Sequence, residues 1–577
     1  MSKYRCVLYG QAPNRCRFAH SSRNDGSSAS VVDYDSYRNL YIELQTISPV
    51  IMGARMQQPL FILSEDSQRT TGDAAQESNI RAGKAVANAV RTTLGPRGMD
   101  KMLIDSSGSV VVTNDGATIL AEMDIEHPAA QMIVEVAETQ EEAVGDGTTT
   151  AAVLTGELLS RAEDLLEDDL HPTVIVEGYY EAARLAEEAI DAAVIDGTDG
   201  GELDDDLLVS VAESSMTGKG TGDVTADRLA ELVVRAVRQV ESADGIDRDD
   251  VHVHTRTGSS SSASDLVEGV LVDEEPVDDN MSRTVEDATV AVLDSKLEVR
   301  ESDIDAEYTI SDVDQLNAAI EAEDRELRGY AEALSEAGVD VLFCTKKIDD
   351  RVAGYLADGG ILAFENVKSK DARSIARATG AKRLGTLSDI EESDLGSAEN
   401  VHVERYDEDD LVFVEGGAAS AAVTLFLRGG TEHVIDELER AITDAVDVTV
   451  AAVDSGGVVP GAGATEIAIS DHVRSSAASV EGRKQLAIEA FAEAVDALPR
   501  TLAENTGLDP IDALVDLRAR HESAGCAGLI STGRAGEVGD PIEAGVLDPA
   551  AVKREAVQSA TEAATMILRI DDVIAAE

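Results

Sequence analysis

Gly145-Asp146-Gly147-Thr148-Thr149-Thr150 is the stretch on which the fold reading turns. From about Ala129 to Ala143 the chain keeps a helical period; the glycines break it, and the three threonines open a new helix. A glycine followed by three hydroxyl residues at a helix start offers backbone N–H groups, hydroxyl donors and the positive end of a helix dipole. Those are the parts of a phosphate cradle. On its own the segment reads first as an ordinary Thr-capped helix. Asp146 reverses that preference, because a carboxylate beside a phosphate is repelled unless a cation lies between them. Mg²⁺ takes one or two carboxylates together with phosphate oxygens. No P-loop is present: Gly218-Lys219-Gly220 lacks both the upstream glycine and the following Ser/Thr.

Working outward, Ile80, Gly83, Ala87, Val90 and Leu94 step at helical spacing from Glu77 until Gly95-Pro96. Lys101–Asp105 and Ser109–Thr113 read as two short strands about a Ser-Ser-Gly turn, and Asn114-Asp115-Gly116 as a second turn. Helices alternate with glycine breaks to about residue 200. From about 273 to 420 the character changes: Thr289–Leu293, Val339–Thr345 and Gly360–Phe364 read as strands between helices. Ala422–Leu427 is a further strand, Thr431 caps a helix through Val448, and the final third is helical with a strand-like Met566–Ile570. An α/β insertion in a helical chain implies a discontinuous domain whose halves meet in space.

Composition narrows the function classes. The 577 residues carry 112 acidic and 48 basic side chains, a net charge of −64, which repels nucleic acid. At molar salt the Debye length falls to about 3 Å, so acidity spread along the chain points to a very salty cytoplasm. No window is apolar enough for a membrane span, and no secretory signal is seen. Four scattered cysteines without CxxC fit a reducing compartment. Residues 1–55 differ, with seven basic and four acidic groups and five of the 11 tyrosines. Cys6, Cys16 and His20 there form only a weak zinc pattern, lacking a fourth ligand. The segment reads as a spurious extension ahead of a true start at Met56.

Thr93-Leu94-Gly95-Pro96-Arg97-Gly98-Met99-Asp100-Lys101, Thr113-Asn114-Asp115-Gly116-Ala117-Thr118-Ile119 and the Gly145–Thr150 stretch, taken together, resemble the nucleotide-binding segments of chaperonins. Asn114 and Arg428-Gly429-Gly430-Thr431-Glu432-His433 are similar to the archaeal and eukaryotic group II rather than the bacterial group. Gly545–Pro549 and Ile567–Asp572 complete the match, which covers roughly Asp73 to Ala576. The resemblance implies a multidomain chaperonin fold. A mostly α-helical equatorial domain would span 56–200 and 456–577, and an α/β intermediate domain 201–272 and 421–455. An inserted α/β apical domain, 273–420, would bind non-native protein and carry a helical protrusion from about Glu301 to Leu327 as a built-in lid. An ordinary amphipathic surface helix is the other reading of that stretch.

The same resemblance implies ATP, Mg²⁺ and K⁺ as cofactors and distributes roles. Asp146 is the magnesium ligand. Asp115 and Asp444 position or deprotonate the attacking water, as suits phosphoryl transfer to water. Asp444 lies at the border of the stripe formed by Val434, Leu438, Ala441, Ala445 and Val448, a position that can face a neighbouring domain. Leu94, Gly95, Pro96, Asn114, Gly147, Thr148, Thr149 and Thr150 line the nucleotide. Gly461, Gly463 and Asp548 form its ribose side, with Ala462 where a glycine often stands, and Lys219 senses the terminal phosphate. Taken bare, Asp115 is a turn residue, Asp548 an N-cap before Pro549 and Lys219 an exposed loop lysine. The expected function is a cytoplasmic, ATP-hydrolysing chaperone that encapsulates non-native polypeptides. It would work in a double ring of itself or paralogous subunits, without a separate lid protein, membrane or nucleic acid. The competing reading is a nucleotide-controlled structural assembly protein.

Overall fold

The structure is a computed structural model that describes residues 6–7, 17–18, 68–104, 108, 110–195, 198–199, 202–219, 225–242, 245–299, 313–387, 390–406, 409–417, 422–455, 457–532 and 535–575. The chain divides into two units, Met1–Gln68 with Ala575–Glu577 and Arg69–Ile574. In the first, Cys6 lies in a two-residue strand paired with Arg17–Phe18. Cys16, His20 and Met56 lie outside the described residues.

The second unit begins with α1 (Asp73–Val90), the antiparallel pair β1 (Lys101–Ile104) and β2 (Val110–Thr113), and α2 (Gly116–Glu122). α3 (Pro128–Val144), α4 (Thr148–Glu167) and α5 (Pro172–Ala193) follow. α1 gives way to a 3₁₀ turn, Arg91–Thr93, so Leu94 leaves the helical stripe and enters an extended loop. α3 starts with Pro128 in its first turn, where a missing N–H costs nothing, and stops at Gly145 in the left-handed conformation. α1 and α4 pack closely because Gly156 carries no side chain; a Cβ there would lie 2.2 Å from the Ala87 Cβ.

α6 (Asp205–Met216) and α7 (Ala226–Val240) lead to β3 (Val251–Thr257) and β4 (Asp265–Val267). The next stretch runs β5 (Gly269–Val272), β6 (Thr284–Leu293), α8 (Val313–Glu336), β7 (Val341–Cys344), α9 (Asp350–Asp358) and β8 (Leu362–Phe364). It continues through α10 (Ser369–Thr379), β9 (Arg383–Leu384), β10 (Gly396–Tyr406) and β11 (Asp409–Glu415). These strands make a seven-stranded sheet in the order β5-β11-β10-β6-β7-β8, with β9 beside β6. β6, β7 and β8 pair in parallel, and β7 is buried at every position, as a strand covered on both faces requires. The chain then returns through β12 (Val423–Gly429), which pairs in parallel with β3 and antiparallel with β4, into α11 (Glu432–Ser455).

The last segment holds β13 (Val458–Pro460), α12 (Ala464–Ala477), α13 (Lys484–Val495), α14 (Ala497–Asn505) and α15 (Pro510–Ala524). It closes with the hairpin β14 (Gly528–Thr532)–β15 (Ala535–Gly539), β16 (Leu547–Pro549) paired with β13, and α16 (Ala550–Leu568).

Three main cores result. The largest joins Ile80, Ile133, Leu158 and Tyr179 to Phe491, Val557 and Ile567, so early and late helices share one interior across some 270 intervening residues. The second lies under the seven-stranded sheet around Phe343 and Phe364. The third packs α6, α7 and α11 on the three-stranded sheet through Val233, Leu425, Leu438 and Ile442.

Two expectations change. β5 joins the seven-stranded sheet, so the inserted α/β part begins at Gly269 rather than 273. Met566–Ile570 is not a strand: α16 runs to Leu568, where Ile567 and Leu568 extend its buried stripe, and a strand begins only at Asp572. A short apolar run cannot be told from a buried helix end by periodicity. Of the expected protrusion, 301–312 lie outside the described residues, and the remainder to Leu327 is the first part of α8. In α8, Ile320 is exposed and Leu327 is fully buried.

Candidate functional site

The starts of α2, α4, α12 and α16, the ends of α3 and α6, and the α11 helix converge on a cavity of about 410 Å³. Its walls contain every nucleotide-site residue read from the sequence except Gly461, which lies one residue behind Ala462 and bonds its N–H to Val546 O at 2.9 Å. Segments more than 300 residues apart therefore meet: Asp115 and Asp146 from the first helical run, Asp444 from beyond the insertion, and Asp548 from β16.

The α4 start is built by glycine. Gly147 caps the helix at φ 82°, and a Cβ there would lie 2.9 Å from both Gln140 Nε2 and Val552 Cγ1. No side chain caps the helix, so its first N–H groups keep no intrahelical acceptor while Thr148, Thr149 and Thr150 line the cavity. Asp146 is held just before it: its Oδ1 accepts from Gly147 N–H at 2.6 Å, and Gln140 Nε2 donates to its carbonyl at 2.7 Å. Asp115 caps α2, accepting from Thr118 N–H at 2.6 Å and Ala117 N–H at 3.4 Å. The local capping role and a place on the cavity wall coexist in one side chain. On the opposite wall Asn505 Nδ2 donates to Leu94 O at 2.8 Å, which fixes the loop before Gly95 and Pro96. Asn114 Nδ2 reaches Gly218 O at 3.3 Å and ties that turn to the Lys219 loop.

Asp444 enters at the edge of the α11 buried face, as its helical position requires, and pairs with the Lys219 ammonium. Both are largely buried, at 16% and 19% side-chain exposure. Asp444 is raised to about 6: burial pushes it up most, Lys219 pulls it down, and Asp115 and Asp146 add to the rise. Burial would lower Lys219, but the carboxylates of Asp444, Asp146 and Asp115 outweigh it and raise it. Asp146 is raised by burial first, against Lys219 and with Asp548 adding to the rise. Glu141, one turn before Asp146 on α3, is pushed to about 8 by burial and then by Asp444, Asp115 and Asp146.

On the far side Lys553 Nζ bonds Glu466 Oε1 and Asp548 Oδ2, each at 2.8 Å. Ala462 takes a left-handed φ of 56°, a strained choice for a residue with a Cβ, and its carbonyl accepts from Leu529 N–H at 2.8 Å. The loop thus keeps the glycine-like conformation despite the alanine.

Glu141, Glu466 and Lys553 were not legible in the sequence. Each is one charge among many, and only Lys553 left a trace: a lysine in the first turn of a helix sits against the dipole.

Six carboxylates and two ammonium groups line the cavity, so a polyphosphate needs added cations to bind there. Among the described residues no three side chains gather to hold a metal unaided. That donor set fits a Mg²⁺ ion that takes Asp146 plus phosphate oxygens and water, rather than a protein cage.

A profile of the TCP-1/cpn60 chaperonin family matches residues 86–577. The chain is 74% identical over 528 residues to thermosome subunit 3 of Haloferax volcanii, covering 91% of this chain and all of that protein. It is 54% identical to thermosome subunit 1 of the same organism, over 91% of this chain and 93% of the relative. To thermosome subunit alpha of Halobacterium salinarum it is 53% identical, over 90% and 92%.

Proposed function

Because this chain belongs to the TCP-1/cpn60 chaperonin family, we propose that the 410 Å³ cavity is where it binds and hydrolyses ATP and that α11 carries the signal to the rest of the molecule. The chain is a group II, thermosome-type chaperonin subunit, an ATPase coupled to protein folding. The observation that carries the site reading is the convergence of Asp115, Asp146 and Asp444 on one cavity from either side of the inserted sheet.

Asp146 would hold Mg²⁺, which when bound neutralises phosphate charge and orients the terminal phosphate. The α4 start, with Gly147 and Thr148–Thr150, receives the phosphates through backbone N–H groups and the helix dipole. Asp115 and Asp444 orient the attacking water and accept its proton. The negative excess that remains suits K⁺ as a further cation. Leu94, Gly95 and Pro96 lie against the nucleotide with Asn114 beside them, and Gly461, Gly463 and Asp548 form the sugar side. Lys219 neutralises Asp444. A terminal phosphate competes for the ammonium and releases the carboxylate toward the water.

The three cores support a reading in three domains. The described helices between 73–193 and 464–568 would form the equatorial part, and 205–267 with 423–455 the intermediate part. The sheet from Gly269 to about 420 is the apical part that takes non-native polypeptide. The several numbered Haloferax subunits support a double ring of this chain with paralogues. Among the described residues no helix is long and apolar enough to cross a membrane. Membership of the thermosome group supports a cytoplasmic setting.

ATP turnover in molar KCl with Mg²⁺, wild type against Asp444→Ala, tests this. Turnover lost in the variant with nucleotide binding retained supports the assignment. Undiminished turnover removes Asp444 from the site, and no turnover in either protein leaves the assembly role in its place.

A further inference from the structure

Asp447 lies one helical turn after Asp444 on α11 and packs on the turn that carries Asp146. A Cβ on Gly145 would lie 2.1 Å from the Asp447 Cβ and 3.2 Å from its Oδ2, so the turn has no room for a side chain there. Gly145 also stands at φ 67°, a conformation that favours glycine. The α11 helix and the α3–α4 turn therefore touch through Asp447. A helix is stiff over one turn, so the place where Asp447 meets Gly145 sets how far Asp444 stands from Asp146.

Arg248 holds Asp447 in that place. Its Nε bonds Oδ1 and its Nη2 bonds Oδ2 at 3.2 Å. A single exposed ion pair contributes little, and molar salt screens it. This pair is of another kind: Asp447 is only 18% exposed, and a planar guanidinium on both carboxylate oxygens fixes orientation as well as charge. Arg248 opens a 3₁₀ turn, Arg248–Asp250, directly before β3, which pairs in parallel with β12, the strand that feeds α11. The arginine thus belongs to the frame that carries α11 and fixes the Asp447 side chain as a spacer against Gly145.

The same turn grips a second arginine. Arg377 Nη1 donates to Asp247 Oδ2 at 2.8 Å and Arg377 Nη2 to Asp250 Oδ2 at 2.7 Å, and Asp250 is buried. Arg377 stands in the last turn of α10, where the helix dipole favours a cation. α10 packs against the inserted sheet through Ala372 and Ile375. One short turn therefore bonds α11 on one side and the inserted sheet on the other.

We propose that Arg248 is a positioning residue for ATP hydrolysis: it clamps Asp447 against Gly145 and so sets the reach of Asp444, and Arg377 ties this clamp to the inserted sheet. The proposal rests on the reading that Asp444 acts on the attacking water. Arg248 touches no reacting atom; it acts through Asp447 and the helix that Asp447 shares with Asp444.

The test uses the full-length protein in molar KCl with Mg²⁺. The kcat for ATP, the Kd for Mg-ADP by equilibrium dialysis and the melting temperature are measured for wild type, R248Q, R248K, D447N, R377Q, D444A and the double variants R248Q/D447N and R248Q/R377Q. A misplacement of about 1 Å can cost about 100-fold in rate, so R248Q and D447N should each lower kcat by about tenfold or more while Kd stays at the wild-type value. The R248Q/D447N protein should be no slower than either single variant, and R248K, which keeps the charge without the fork, should recover part of the loss. R377Q should lower kcat in the wild-type background and add nothing to R248Q; a loss that adds in full cuts α10 from the clamp. A bridge that is only structural would lower the melting temperature and leave kcat of the folded protein unchanged, or weaken Mg-ADP binding in step with kcat. Either pattern overturns the proposal. An inactive D444A beside an R248Q of wild-type kcat overturns it alone, whereas a D444A of wild-type kcat removes the Asp444 reading on which it rests.

Discussion

Lys219→Met isolates the electrostatics of the Asp444 site. Burial raises Asp444 to about 6, and the Lys219 ammonium is the largest influence holding it down. At that value about ten of every eleven molecules carry the ionised carboxylate at pH 7. An opposite charge within 4–6 Å typically lowers a carboxyl by about 1–3 units. Losing Lys219 and two such units would leave about one molecule in eleven ionised at pH 7. The sign is fixed: Asp444 acts as a carboxylate, so activity falls as the pH drops through its pKa, and the variant meets that limit at higher pH. The free protein's groups govern kcat/KM, which makes kcat/KM for Mg-ATP between pH 5.5 and 9.5 the right measurement. The acid limb should move up by one unit or more, with about tenfold less activity at pH 7 and substantial recovery near pH 9. An acid limb at the wild-type pH refutes the argument. A uniform loss at every pH would mean that Lys219 acts on the phosphate and not through Asp444.

Three further outcomes follow from the same geometry. Gly147→Ala forces a Cβ against Gln140 and Val552 at φ 82°; nucleotide affinity should fall at least tenfold by equilibrium dialysis, and unchanged affinity would remove the α4 start from the site. Glu141 is raised to about 8 in the folded state, so the folded protein binds an extra proton between the unfolded pKa and about 8, and stability falls as pH rises through that window. Glu141→Gln should therefore melt about 2 °C or more above wild type at pH 9, with the gap closing toward pH 5 by calorimetry; a gap independent of pH would contradict it. With a net charge of −64, the melting temperature should drop steeply as KCl falls from about 3 M to 0.1 M, and NaCl but not sucrose should restore it; equal rescue by sucrose would show that screening is not the cause.

The charge told of the salty setting without any structure, because net charge is a sum over residues and needs no geometry. Local chain rules were equally legible. Gly145 and Gly147 ended one helix and opened the next, Gly95-Pro96 bounded another, and Asp444 fell at the edge of its helical stripe because 100° per residue places it there. What the spacing could not determine was which distant charges meet. Glu141, Glu466 and Lys553 are surface-like letters in a chain of 112 acids, and they become a site only when α3, α12 and α16 converge. The end of α16 shows the same limit in miniature: Met566, Ile567 and Leu568 satisfy strand and helix patterns alike, and packing against the first core decides for helix. Periodicity is a property of neighbours along the chain, whereas the pairing of buried charges depends on which desolvated groups are brought face to face. That choice is made by the cores, and it is made only in three dimensions.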